Sequence, residues 1–258
     1  MKRIISLISV AILLTAVLSL AACKDNEPVQ EDETTVTTER KSVTSEAVKI
    51  SELPKDTDAR LEMFNVALDY FEVYCIKYTK KVKCEVSGVN VGSLSAASNA
   101  VAAFKSIFGE TEMTNEYNYN NAPESFTANI IKSGFKKDDI SSAEVKREGE
   151  NVVLKITFKN ESNPDTEKGI LRRLSADYVG AEKIKSSLSE FGSSAGSVSA
   201  SASNIVATAV ISAVDSSLQK LTVSYNENFA LGSVKLVQLE GSSVTGSSKT
   251  VVTYTNME

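Results

Sequence analysis

The chain contains no histidine in 258 residues. That removes the commonest general base and the commonest metal ligand together. Cysteine is nearly as scarce, with only Cys23, Cys75 and Cys84 present. Two thiols without histidine or a second cysteine pair do not furnish a structural zinc site. No Lys/Arg-rich block follows the first residues and the formal charge is −5, which argues against nucleic acid as a partner. Neither Asp138-Asp139 nor the acidic segment near the N-terminus has a calcium-loop pattern, and both read as solvated charge. The expectation is a protein with no catalytic residue, no metal and no cofactor, and therefore not an enzyme. Apolar residues run together at length only once, from Ile4 to Leu18, directly behind Lys2 and Arg3.

That run has the length of a secretory h-region and ends in small residues, as an export signal requires. Its last residues, Leu20-Ala21-Ala22-Cys23 within VLSLAAC, resemble the lipobox of bacterial lipoproteins. An uncleaved membrane anchor is the competing reading, because Ile4 to Ala22 nearly reaches the roughly 20 residues that cross a bilayer. A strongly polar segment following at once favours cleavage. The resemblance implies that residues 1–22 are removed and that Cys23 becomes the first mature residue. Cys23 then carries a diacylglyceryl thioether and an N-acyl chain. At about 0.8 kcal/mol per buried methylene, several acyl chains hold a protein stably where one short chain is marginal. The expected location is the cell membrane, lipid-anchored on its extracytoplasmic face, with the membrane as partner through Cys23. Loss of Lys2 and Arg3 takes the formal charge to −7.

Residues 23–46 are acidic and threonine-rich with almost no large apolar side chain, so they read as a disordered tether. Residues 47–258 form a single domain, roughly 210 residues and long enough for a real core. Leu61, Phe64, Leu68, Phe71, Cys75 and Tyr78 recur at three- and four-residue spacing behind the candidate N-caps Asp56 to Asp58, which predicts a helix ending between Tyr74 and Tyr78. Val82, Cys84 and Val86 then alternate as a strand. A second helix is expected over Leu94 to Phe108, with Gly109 as its stop. Residues 110–127, rich in Asn, read as a loop. A hairpin follows across Gly149-Glu150, then a helical region over residues 166–191 broken at Gly180. The last sixty residues read as a meander of four strands near 198–214, 218–230, 233–241 and 249–256. Asp215 to Ser217, Ala230 to Gly232 and Gly241 to Ser248 are the expected connections. Ala200, Ala202, Ala207, Ala209 and Ala213 in its first strand favour close approach of a helix over an empty groove.

Four stretches imitate chemistry. Gly192 to Gly196, GSSAG, fits a nucleophile elbow by letter, but a helix precedes it, a strand follows it and no histidine exists to take the proton of Ser194. Ser133 to Lys136 and Ser217 to Lys220 match S-x-x-K without the companion motifs of that chemistry. GSSVTGSSKT, Gly241 to Thr250, lacks the Gly-Lys-Ser/Thr adjacency of a phosphate loop and reads as a polar turn. Two further features stay open. Cys75 and Cys84 are a candidate disulfide in an oxidising compartment, with two buried thiols as the alternative. Tyr117 and Tyr119 are a candidate recognition loop, with tyrosines covering the base of their own loop as the alternative.

Together these elements predict an α+β domain: a curved antiparallel sheet, supplied largely by the C-terminal meander, packed against several helices. At the level of element order this is similar to the half-barrel lipid-carrier lipoproteins of bacterial envelopes, and the chain also resembles bacterial surface lipoproteins. The first resemblance implies a non-enzymatic, monomeric protein that holds an apolar or amphipathic small ligand between helices and sheet. The alternative is a cell-surface interaction module for a protein or glycan partner.

Overall fold

Asp56 opens the first helix by accepting a hydrogen bond from the Ala59 N–H at 2.8 Å, which satisfies one of the orphan donors of a helix start. The structure is a computed structural model and describes residues 49–91, 111–162, 169–175, 178, 180–190, 194–236 and 239–258. Helix α1 (Thr57–Tyr74) buries Leu61, Phe64, Ala67, Leu68 and Phe71, the stripe anticipated from spacing. Cys75 turns to extended backbone and the chain enters β1 (Lys77–Val91). The expected helix over residues 94–108 lies outside the described residues, as do the segments expected to be an export signal and a tether.

Next come β2 (Thr111–Asn118), α2 (Pro123–Asn129), a 3-10 turn at Lys137–Asp139, β3 (Ile140–Glu148), β4 (Asn151–Phe158) and β5 (Glu161–Ser162). Helices α3 (Ile170–Leu174) and α4 (Gly180–Glu190) precede three long strands, β6 (Ser194–Ser212), β7 (Leu218–Leu236) and β8 (Leu239–Thr255). These eight strands make one open antiparallel sheet in the order β2-β1-β8-β7-β6-β4-β3, with β5 also paired to β6. The chain is α+β, as its element pattern predicted.

Two expectations about elements are corrected. Residues 111–118 are a strand, not a loop: they pair with β1 from Lys77↔Asn118 to Cys84↔Thr111. The Asn-rich sequence has little intrinsic strand preference, and pairing along the sheet edge overrides it. The C-terminal meander has three strands rather than four. Asp215 to Ser217 is a turn, but Ala230 to Gly232 lies within β7 and Gly241 to Ser248 within β8. Their glycines answer to packing. A Cβ on Gly246 would collide with the Phe229 ring, and one on Gly232 with the Ser197 hydroxyl.

One face of the sheet carries the core. Phe64 meets Phe135 and Phe158 at ring-centroid distances of 6.0 and 6.3 Å, and Phe71 meets Tyr78 and Tyr254 at 5.5 and 6.0 Å. These rings fill the space between α1 and the strands, each fully buried ring contributing about 1.5–3 kcal/mol. Helix α2 is fastened over the same end: the Tyr78 hydroxyl donates to Phe126 O at 3.2 Å and the Tyr254 hydroxyl to Asn129 O at 3.3 Å. Helix α4 stands on β6 and buries Ala181, Ile184 and Leu188. The alanines of β6 are buried too, so the small-residue strand does carry a helix. Among the described residues no helix is long and apolar enough to cross a membrane.

Candidate functional site

The face of β6, β7 and β8 turned away from the core is set by period-two alternation. Across three strands the outward positions form rows: Thr208, Thr222 and Thr253; Val206, Ser224 and Val251; Ser203, Asn226 and Lys249; Ser201, Asn228 and Ser247; Ser199, Ala230 and Thr245. Hydroxyls and amides dominate, and Lys249 is the one charge in these rows. Toward the sheet margins charges return as ion pairs, Lys81 with Glu112, Lys83 with Glu85 and Lys155 with Glu144.

A groove of about 590 Å3 opens over the last two rows. Ser199 and Ser201 come from β6, Asn228 and Ala230 from β7, Thr245 and Ser247 from β8, with Gly88 of β1 and Ser162 of β5 at its sides. Its floor is backbone, because Ala200, Phe229 and Gly246 are buried toward the other face. Three register shifts surround it, between Ser87 and Asn90, Ser203 and Val206, and Leu231 and Val234. Each coincides with left-handed backbone, at Gly88 (φ 63°), Asn204 (φ 52°) and Ser233 (φ 51°). Such bulges bend a strand and increase its local twist. Among the described residues none that lines it is ionisable.

Beneath the groove the core face is polar where a sheet interior is normally apolar. Glu227 is 1% exposed and accepts from the Gly180 N–H at 3.1 Å, the first residue of α4. In the same cross-strand row, Glu161 accepts from the Ile170 and Leu171 N–H groups of α3 at 2.6 and 2.8 Å. Two carboxylates from one row thus cap two helices, where negative charge meets the positive end of the helix dipole. Cys84, Ser248 and Thr250 adjoin Glu227, and burial holds the Cys84 thiol above its ordinary pKa, with hydroxyls of Thr250 and Ser248 working against it. Such a thiol is a poor nucleophile.

The residues singled out from sequence fall elsewhere. Cys23 lies outside the described residues. Cys75 and Cys84 form no disulfide with each other, and the candidate bridge is not made. Strand β1 runs extended between them, and at about 3.3 Å per residue it carries Cys84 well beyond the 7 Å Cα separation a disulfide tolerates. Tyr117 stacks on Tyr78 at 5.0 Å and Tyr119 meets Phe126 edge-on at 5.7 Å. Both pack against the core, beside a shallow groove of about 350 Å3 that includes Asn115, Asn118 and Asn121.

Of the serines in S-x-x-K matches, Ser133 donates to Asp69 and Ser217 to Asp215 at 2.7 Å. Ser194 and Gly196 are strand residues of β6. The groove residues escaped sequence reading because they come from five strands. The signal that would have found them is a run of outward positions without charge, Ser199, Ser201, Ser203 and then Asn226, Asn228. The chain matches no protein-family model, and no curated protein or solved structure is similar to it.

Proposed function

We propose that this chain is a lipid-anchored lipoprotein on the extracytoplasmic face of a bacterial membrane, and that its domain is a non-enzymatic binding module acting through the groove on the outer face of β6, β7 and β8. One observation carries the reading. The domain's first described residues join it at the end opposite the groove: the Ile50 N–H donates to Ala213 O at 2.9 Å, beside the β6–β7 turn. From Ala213 to Ser201 the strand runs roughly 40 Å at about 3.3 Å per residue. The first described residues therefore join the domain at the turn, and the groove lies clear of them at the other end of the strands. Neutral hydroxyls and amides, gathered from five strands at the far end of an anchored domain, suit docking of an external partner.

An apolar ligand held between helices and sheet is the second reading, and the buried alanine side of β6 is the observation in its favour. Helix α4 stands on that strand and aromatic rings fill the interface of α1, so the surface reading has the stronger support.

The deciding experiment uses the full lipidated chain in detergent. It compares retention on isolated bacterial envelopes of the native protein and of Ser201→Trp, which fills the groove. Retention lost in the variant supports the module. Equal retention, or a fatty acid that copurifies and rebinds after denaturation and refolding, overturns it.

A further inference from the structure

We infer that α1 carries an interaction surface on the side turned from the sheet, and that it receives a basic amphipathic helix of a protein partner. The surface belongs to the helical layer and does not depend on the groove.

Two seams of one spacing run along α1. Leu61, Phe64, Leu68 and Phe71 follow one another at three, four and three residues, and all four are buried. Met63, Val66, Tyr70 and Val73 repeat that spacing two positions later. At 3.6 residues per turn, a shift of two positions turns the second seam about 200° from the first. A helix apolar on both sides is ordinarily covered on both. Here Val66 is 58% and Val73 54% exposed, with Tyr70 and Tyr74 half-buried beside them and their rings 4.5 Å apart. One exposed valine would need no explanation. Two at a seven-residue interval with a tyrosine between them make a ridge, which from Met63 to Tyr74 is about 16 Å long at 1.5 Å per residue.

The repeat extends to charge. Residues 62–66, EMFNV, and 69–73, DYFEV, both run acid, apolar, Phe, polar, Val. In a coiled-coil heptad Met63 and Tyr70 take a, Val66 and Val73 take d, and Glu62 and Asp69 take g, the position whose charge selects a partner helix. The helix itself gains little from these carboxylates. Asp58 with Glu62 and Asp69 with Glu72 are like charges four and three residues apart, an unfavourable spacing, and Glu72 in the last turn opposes the helix dipole. The one cation of α1, Arg60, donates to the Pro54, Lys55 and Ala143 carbonyls. Lys137 meets Asp58 and Ser133 donates to Asp69, but among the described residues no ion pair reaches Glu62, Asp69 or Glu72.

Charge complementarity names the occupant. A helix with its own apolar seam flanked by lysine or arginine would cover the valines and bring cations to Glu62 and Asp69. About three turns of it, at 5.4 Å each, match the ridge. An anionic lipid surface would set negative charge against negative charge. A second copy presents the same acidic row, with Arg60 already engaged.

The test measures binding of labelled three-heptad synthetic helices to the full lipidated chain held in phosphatidylcholine nanodiscs. Two probes share a leucine seam and differ only in carrying lysine or glutamate at the flanking positions. The lysine helix should bind at least about tenfold more tightly than the glutamate helix. Val66→Ser combined with Val73→Ser should weaken it about tenfold at an unchanged melting temperature. Glu62→Gln combined with Asp69→Asn should erase the preference between probes, and this pair stays readable should the serines lower the melting temperature. Ser201→Trp, which fills the groove, should leave binding intact. No binding of the lysine helix, equal binding of both probes, indifference to either pair of substitutions, or loss in Ser201→Trp overturns the inference. Valine-dependent self-association in sedimentation equilibrium assigns the ridge to a second copy, and valine-dependent binding of the Cys23→Ser chain to phosphatidylglycerol vesicles assigns it to lipid. Either overturns it as well.

Discussion

Gly246 shows how a single missing side chain directs this sheet. Phe229 lies where a Cβ of Gly246 would stand, so the ring seals the strand and the glycine belongs to the interior of β8 instead of a turn. Gly246→Ala should therefore destabilise the domain by about 1–3 kcal/mol through overpacking, measured by urea unfolding, and Phe229→Leu in the same chain should recover part of the loss. Cys84 offers a second test at this scale. Its thiol is held above the ordinary pKa chiefly by burial, so folded protein keeps the proton to higher pH than unfolded chain does. Below about pH 8.5 both states are protonated and stability is undiminished. As pH rises further the unfolded chain ionises first, and stability falls until the folded thiol titrates as well. Unfolding midpoints should decline over that alkaline range, and Cys84→Ala should decline less steeply. Identical slopes would remove Cys84 from the account. The sequence placed Cys84 on a strand face but gave no view of Glu227, Ser248 and Thr250 around it, because those neighbours arrive from β7 and β8.

At the scale of elements, local pattern and distant pairing divide the fold between them. Helix α1 and the hairpin of β3 and β4 were legible because periodicity, caps and turn residues all act within a few positions, whereas the helical region expected to break at Gly180 ends at Leu174 and resumes with Gly180 as the first residue of α4. Strand β2 was not legible, since its Asn-rich sequence becomes a strand only against β1. Nor was the length of β7 and β8 legible, where Gly and Ser read as turns until the strands across from them are known. Helix α3 depends on a carboxylate nine residues before it, for Glu161 accepts from both Ile170 and Leu171 N–H groups. Glu161→Ala should cost about 1–2 kcal/mol and should raise hydrogen exchange at the Ile170 and Leu171 amides ahead of the rest of the core. Exchange that rises uniformly would mean the cap is no more than one contact among many.

For the whole molecule, the anchor and the groove are read from different kinds of information. The reading of Cys23 as the acylated residue predicts that Cys23→Ser moves the protein from the membrane fraction to the soluble extracytoplasmic fraction and abolishes labelling by a fatty-acid analogue. Retention of the label, or of the variant in membranes, would point to an uncleaved apolar segment. The sequence by itself determined the α+β class, the core stripe of helix α1 and the long alternating strands near the C-terminus, and it removed histidine-based chemistry outright. These follow from side-chain identity and from periods of two and 3.6 residues, which need no partner in space. Only the tertiary structure decided that Cys75 and Cys84 stand apart, that Tyr117 and Tyr119 pack against the core, and that described residues of five strands gather a groove far from the point where Ile50 joins the sheet. Each depends on which strands lie side by side, and strand register is fixed by the burial of a whole face at once. No short window of sequence contains that information.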